Sequence, residues 1–198
     1  MCMAKKTFMG SYPVFKEQEK FMKKLLVALL CCAFISSAFA ADWANSDNSA
    51  YKKGDKNVSL GMSIYYFGFY GTFDYAFHDA LSAGGGFGYN GYSYSSYWRY
   101  NYFPVVARVL FHPFNLKVLS DKIKVRDKLD VYAGLSLGWS IGWATWKGAG
   151  TSISDPSVGG FVIRENIGAR YYFKPNLFAF VEEGAGFGWI NAGVGLKF

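Results

Sequence analysis

Two histidines, His78 and His112, are the only imidazoles in this chain of 198 residues. Imidazole is the side chain that most readily moves protons near neutral pH, and driving a hydroxyl nucleophile would require a serine and an acid held within hydrogen-bond reach. Neither histidine has such partners at a spacing that brings them together, and both fall at turns between apolar runs. Both are therefore expected to be solvated turn residues, and no enzymatic activity is expected. Gly86-Phe87-Gly88-Tyr89-Asn90-Gly91 matches the G-x-G-x-x-G pattern of dinucleotide sites. That pattern works only where a helix begins and its amides meet the pyrophosphate, and Tyr92-Ser93-Tyr94-Ser95-Ser96-Tyr97 is not a helix start. The glycines are assigned to close packing, and no cofactor is expected.

The remaining reactive side chains are charges of both signs. Asp74, Arg108, Asp130, Arg164, Arg170 and Glu182 recur on the small-residue face of the predicted strands. If that face is enclosed, these charges must pair and hydrogen-bond. They are expected to form a lumenal network centred on Arg108, Arg170 and Glu182, either purely structural or acting as a gate.

The elements that position them become visible once the amino end is set aside. Met22-Lys23-Lys24 opens a basic start, Leu25 to Ile35 form an apolar centre, and Ala38-Phe39-Ala40 supplies an A-x-A cleavage site. Residues 22–40 are read as a secretory signal peptide, with 1–21 as an upstream extension ahead of a true start at Met22. Residues 41–57 then form a short periplasmic segment and 58–198 the folded domain. Cleavage removes Cys2, Cys31 and Cys32, so the mature chain has no disulfide and no thiolate metal site. It also leaves 15 basic against 12 acidic residues, a net charge of +3. That is too weak a footprint for nucleic acid.

The domain reads as strands almost throughout, because apolar residues recur at every second position between Gly, Asn, Asp and Pro punctuation. Val58, Leu60, Met62, Ile64 and Tyr66 share a face, and after Phe67-Gly68 the apolar phase moves to Phe69, Phe73, Tyr75 and Phe77. A phase flip of this kind marks a hairpin. Further strands carry Leu81 to Tyr89 (ending near Tyr97), Val105 to Phe111, Leu129 to Trp139, and Ile163 to Phe173. The seventh presents Leu177, Ala179, Val181, Ala185 and Phe187 on one face, and the eighth Ile190 to Phe198. Pro113 to Lys128 is a long charged turn whose Lys117, Lys122, Lys124, Arg126 and Lys128 alternate with Asp121 and Asp127, so a solvated turn is expected. Glu183 falls on the apolar face, which implies an interface position or a bulge.

Eight alternating strands suit either a soluble barrel with its apolar face inward or a membrane barrel with that face outward. Here the bulky face carries long side chains with Tyr, Phe and Trp near strand ends. The opposite face is mostly Gly, Ser and Asn. An aromatic girdle belongs at a bilayer interface, so the expected fold is all-β: an eight-stranded antiparallel up-and-down transmembrane β-barrel. No apolar run reaches the roughly 20 residues of a spanning helix.

The last strand, Ile190-Asn191-Ala192-Gly193-Val194-Gly195-Leu196-Lys197-Phe198, ends on an aromatic residue preceded by alternating apolar positions. With Gly168 to Glu182, which reads strand-turn-strand, it resembles the small bacterial outer-membrane β-barrels of the OmpA-like and OmpX-like type. The resemblance spans roughly Val58 to Phe198. It implies that Ile190, Val194, Leu196 and Phe198 form the assembly signal read by the barrel assembly machinery, and that the partners are outer-membrane lipid and lipopolysaccharide. It also implies export by the general secretory route to the cell outer membrane. The extracellular segments would then be Tyr92 to Trp98 and Thr145 to Gly160, whose Tyr92, Tyr94, Tyr97, Trp98 and Trp146 are candidate contacts for an extracellular ligand of unknown identity. The expected role is structural or adhesion-like, with the lumen plugged by side chains. The alternatives are a narrow pore for small solutes and a secreted soluble barrel that binds an apolar ligand.

Overall fold

The computed structural model describes residues 49–65, 67–94, 97–148 and 158–198. The chain divides into two compact units, Met1–Ala40 and Ala41–Phe198, and every described residue lies in the second. The expected upstream extension (1–21) and signal peptide (22–40) lie outside the described residues.

Strict alternation of large apolar with small or polar residues produces eight strands: β1 (Lys56–Ser63), β2 (Phe67–His78), β3 (Leu81–Tyr94), β4 (Trp98–Phe111), β5 (Leu129–Trp146), β6 (Gly160–Lys174), β7 (Leu177–Gly184) and β8 (Gly188–Lys197). Each pairs antiparallel with the next, and β8 returns to β1 from Asn57↔Lys197 to Ser63↔Asn191, closing the barrel. Closure leaves no free sheet edge along the paired length and satisfies the backbone within the wall, which hydrocarbon demands.

Burial is inverted relative to a soluble protein. Leu60 (66% exposed), Trp139 (58%) and Val194 (54%) face outward, as do Phe69, Phe73, Tyr171 and Phe173, and Leu135 is half-buried in the same outer face. Asp74, Arg108, Asp130, Arg170 and Glu182 are buried within. An apolar exterior of this extent has no place in water and is what a bilayer requires, so the fold is a transmembrane β-barrel. The soluble-barrel alternative needs the opposite arrangement and fails on this distribution.

Several boundaries differ from the sequence reading, each for a local reason. β1 stops at Ser63, with the Ile64 N–H making a last bond to the Ile190 carbonyl (2.9 Å) on β8. Phe67 and Gly68, read as the hairpin turn, are instead the first residues of β2. β3 ends at Tyr94 rather than near Tyr97. Ala185 and Phe187 were placed on the outward face of the seventh strand, yet both are buried in the lumen. β7 ends at Gly184, and the positive φ of Gly184, Ala185 and Gly186 breaks the two-residue period. The long turn after Pro113 contains a 3-10 turn (Pro113–Asn115) and a short helix, α1 (Lys117–Ser120). Its Asn115 is buried, so the segment is partly built into the barrel mouth rather than solvated throughout.

Glycines on the inner face make room for side chains that cross a narrow lumen. A Cβ at Gly168 would sit 2.6 Å from the Tyr132 ring and 2.8 Å from the Glu182 Cβ.

Candidate functional site

The start of β1 and the end of β8 lie at one rim, the rim that the outer-membrane resemblance implies faces the periplasm. There the segment Ser49–Asp55 crosses the opening as a strap. The Ala50 N–H donates to the Arg126 carbonyl (2.7 Å), the Gly54 N–H to the Ala76 carbonyl (2.7 Å), and the Lys197 ammonium to the Ala50 carbonyl (2.9 Å). Lys197 also pairs with Asp55 (3.4 Å). Asn115 holds the strap from the long turn, donating to the carbonyls of Tyr51 (3.0 Å) and Asp79 (2.6 Å). Tyr51 is 1% exposed, stacks flat on His112 (centroids 3.6 Å apart, 11° between planes) and donates its hydroxyl to the His78 carbonyl (3.0 Å). Burial, with the Asp130 carboxylate beside it, pushes the Tyr51 hydroxyl well above the ordinary phenol value. Ser49–Asp55, the described part of the expected 41–57 segment, is therefore a plug, and 41–48 lie outside the described residues.

Above Tyr51, His112 is buried rather than solvated. Its Nδ1 lies 2.8 Å from Asp130 Oδ1 and its Nε2 3.0 Å from Ser82 Oγ. With Asp130 accepting from Nδ1–H, Nε2 accepts the Ser82 hydroxyl. This is the order of acid, base and hydroxyl used in nucleophilic catalysis. All three side chains are buried and the imidazole face is covered by Tyr51, so no substrate reaches the hydroxyl in this arrangement. Sequence reading missed the partners because Ser82 lies on β3, Asp130 on β5 and His112 just past the end of β4. The signal was available in the parity: Ser82, Arg108, His112 and Asp130 are all even-numbered positions on inward faces.

The middle of the lumen holds an ion network. The guanidinium of Arg108 meets both carboxylate oxygens of Asp74, with Nε 2.6 Å from Oδ1, and turns Nη1 toward Glu182 (3.2 Å). Arg170 reaches the same Asp74 (2.6 Å), lies 3.7 Å from Asp130, and packs over the Tyr132 ring at 4.5 Å. Glu182 accepts the hydroxyls of Tyr132 (2.8 Å) and Tyr70 (3.1 Å). The hub is therefore Asp74, which holds two arginines, while Glu182 is shared between Arg108 and two tyrosines the sequence reading did not include. Five of the six expected charges meet here or at His112. Arg164 does not: it faces inward by parity but stands exposed near the other mouth.

Above the ions, rings close the lumen further. Phe187 stacks on Tyr70 (4.5 Å, 6°), and Phe180 meets Tyr70 edge-on (6.2 Å, 74°). Ser136 and Asn166 complete this layer through a 2.8 Å hydrogen bond. At the opposite mouth the described residues leave a cavity instead. A cavity of about 680 Å³ is lined by Tyr92, Tyr102, Asn90, Ser140 and Arg164 among others. Tyr92 is stacked between Tyr100 (5.4 Å) and Tyr102 (5.9 Å).

The candidate contact residues separate into two groups. Tyr92 lines this vestibule. Tyr97, Trp98 and Trp146 gather at the rim, with Tyr97 stacked on Trp146 (5.3 Å) and Trp98 edge-on to it (5.0 Å). The Tyr94 side chain and residues 149–157 lie outside the described residues. Ile190, Val194, Leu196 and Phe198 are all exposed on the outer face at the β8 end of the wall, beside the β1 seam. Glu183 is also exposed there, where the β7–β8 register shifts. Among the described residues, no group of three or more His, Cys, Asp or Glu side chains could hold a metal ion.

No protein-family model matches the chain, and no curated protein does. Among solved structures, the chain is similar to the N-terminal β-barrel domain of OprF from Pseudomonas aeruginosa (19% identity, TM-score 0.49, covering 74% of this chain and 98% of that one). It is also similar to Ail, the attachment invasion locus protein of Yersinia pestis (15%, 0.43, 74% and 99%). Neisserial surface protein A matches at 13% identity, with TM-score 0.42, covering 72% and 92%. The strand pairing and the inverted burial carry the fold assignment on their own terms: the chain has the fold of the small outer-membrane β-barrels.

Proposed function

We propose that this protein is a non-conducting, non-catalytic anchor in the bacterial outer membrane, whose working surface is the extracellular rim. The observation that carries the reading is the layered closure of the lumen. The strap, the His112 layer, the Asp74 hub and the Phe187–Tyr70 stack fill successive levels of the lumen with buried side chains. A pore of this fold must break several buried ion pairs at once, and each broken pair leaves an uncompensated charge. The rim cluster of Tyr97, Trp98 and Trp146 has the rigid aromatic character of contact surfaces and supports a structural or adhesion-like role there. The signal-like pattern of Met22–Ala40 and the alternating apolar residues Ile190, Val194, Leu196 and Phe198 support export through the general secretory route and insertion by the assembly machinery.

Reconstitution into planar bilayers tests the closed lumen: the full chain should give no single-channel events. Regular events from the unmodified protein would replace this reading with the narrow pore. The location is tested by fractionation, with the protein in detergent-extracted outer membrane and running faster on a gel before boiling than after. Cells displaying the protein should also bind a matrix-coated surface better than cells displaying Tyr97→Ser with Trp146→Ser. Equal binding would leave only the structural role.

A further inference from the structure

The barrel wall is uneven in height. β3, β4, β5 and β6 run 14, 14, 18 and 15 residues, whereas β7, β8 and β1 run 8, 10 and 8. Pairing of β6 with β7 ends at Asn166↔Gly184, while pairing of β6 with β5 continues to Gly160. Beyond the bond from the Ala185 N–H to the Glu165 carbonyl (3.2 Å), the β7-side edge of Gly160–Arg164 has no strand beside it among the described residues. The result is a notch in the wall above the β7–β8 turn, with a β6 edge that no strand pairs among the described residues.

The vestibule runs out through this notch. Its cavity is lined by inward residues (Tyr92, Tyr102, Arg164), by outward ones (Phe161, Glu183) and by the exposed Trp189 at the β7–β8 register shift. A second cavity of about 430 Å³ lies on the outer wall below, between Tyr65, Ile167, Val181 and Ile190, and shares Glu183 and Trp189 with the first. The pair makes one path that is polar and aromatic inside and apolar outside. Its charges are ordered along that path. Arg164 stands inside, with no ion pair or hydrogen-bond partner among the described residues. Glu165 and Glu183 stand on the outer face at the notch, Glu183 opposite Ile167 and Glu165 two residues further along β6.

We propose that this notch is a binding site for a membrane amphiphile with a zwitterionic phosphate-and-ammonium head. The phosphate enters the vestibule to Arg164 and that β6 edge, the ammonium rests against Glu165 and Glu183, and the hydrocarbon chain lies down the outer wall past Trp189 and Ile190. A purely anionic head would meet two carboxylates at the entrance, and a purely cationic one would meet Arg164 inside. The site requires the barrel to sit in a membrane but does not depend on the adhesion-like role.

The test uses the full chain in maltoside micelles and native mass spectrometry with three probes of equal chain length: hexadecylphosphocholine, hexadecyl phosphate and hexadecyltrimethylammonium. One phosphocholine adduct should be retained about fivefold more than either of the others, the ratio one exposed ion pair supplies. Arg164→Gln should remove that preference, and Glu165→Gln with Glu183→Gln should raise retention of the alkyl phosphate to that of the zwitterion. All three positions are exposed, and an unchanged gel shift before boiling confirms that each variant keeps its barrel. Equal retention of the three probes by the unmodified chain, no retained adduct, or a preference unaltered by Arg164→Gln would overturn the proposal. None of these outcomes bears on the conductance test of the closed lumen.

Discussion

The two mouths of one lumen are built on opposite principles. At the strap end, a backbone segment with a buried tyrosine fills the opening, held by hydrogen bonds from Asn115 and Lys197. At the opposite end, a stack of tyrosines and a guanidinium line a cavity and one wall stops short. Both ends draw on the same residue types. What separates them is closure: a strap crosses one mouth, while the wall at the other is lowered by a turn with three consecutive positive-φ residues. Polar side chains inside a barrel act as mortar where the chain covers them and as a receptor surface where it does not.

This contrast can be broken most forcefully between the two mouths. Arg108→Ala strips Asp74 and Glu182 of a shared cation in the sealed layer, and removing one partner of a buried pair costs about 3–5 kcal/mol. A urea titration of the protein in lipid vesicles should show that loss, and a smaller effect than about 1 kcal/mol would mean the hub does not hold the barrel shut. Tyr51→Ala opens the strap end, with an expected cost of about 3 kcal/mol for a buried ring. In that background a Ser82→Cys thiol should react with a membrane-impermeant maleimide added from the periplasmic side, whereas with Tyr51 in place it should not.

The same tyrosine predicts an alkaline weakness. Its proton is held more tightly in the folded state than in the unfolded chain, so its stabilising share is intact below the unfolded value of about 10 and is lost as pH rises beyond it. The urea midpoint of the native protein should fall above that pH more than that of Tyr51→Phe. Gly168→Ala adds a methyl against the Tyr132 ring and should cost about 1–3 kcal/mol by overpacking, readable in the same titration. At the opposite end, Tyr97→Ser should change stability by less than about 0.5 kcal/mol. A loss as large as that of Gly168→Ala would show that the rim is as tightly built as the plug.

Much of this was legible from residue parity. The even positions of β1 and the odd positions of β2 face outward as alternation predicts, because a strand with one face in lipid and one in a filled lumen cannot slip register without exposing charge to hydrocarbon. Parity carried less at strand ends. Alternation places Phe187 outward only when it is counted through a turn where backbone handedness changes. His112, expected as a solvated turn residue, lies one residue past β4 and keeps the inward parity of that strand. The strap was not legible at all: Ser49–Asp55 has no period, and its burial depends on carbonyls and amides that any sequence would carry. The ion hub was visible as a set of charges, but its geometry was not. Which acid takes two arginines depends on the stagger between strands rather than on their order.

The strap also ties its own docking to the closure of the wall. Its anchors are Ala76 on β2, Arg126 on the long turn, and Lys197 on β8. Ser49–Asp55 therefore cannot finish docking until β8 has arrived. An insertion arrested one hairpin short would leave Tyr51 loose and open to a protease, so a single cleavage assay at that residue distinguishes finished barrels from stalled ones.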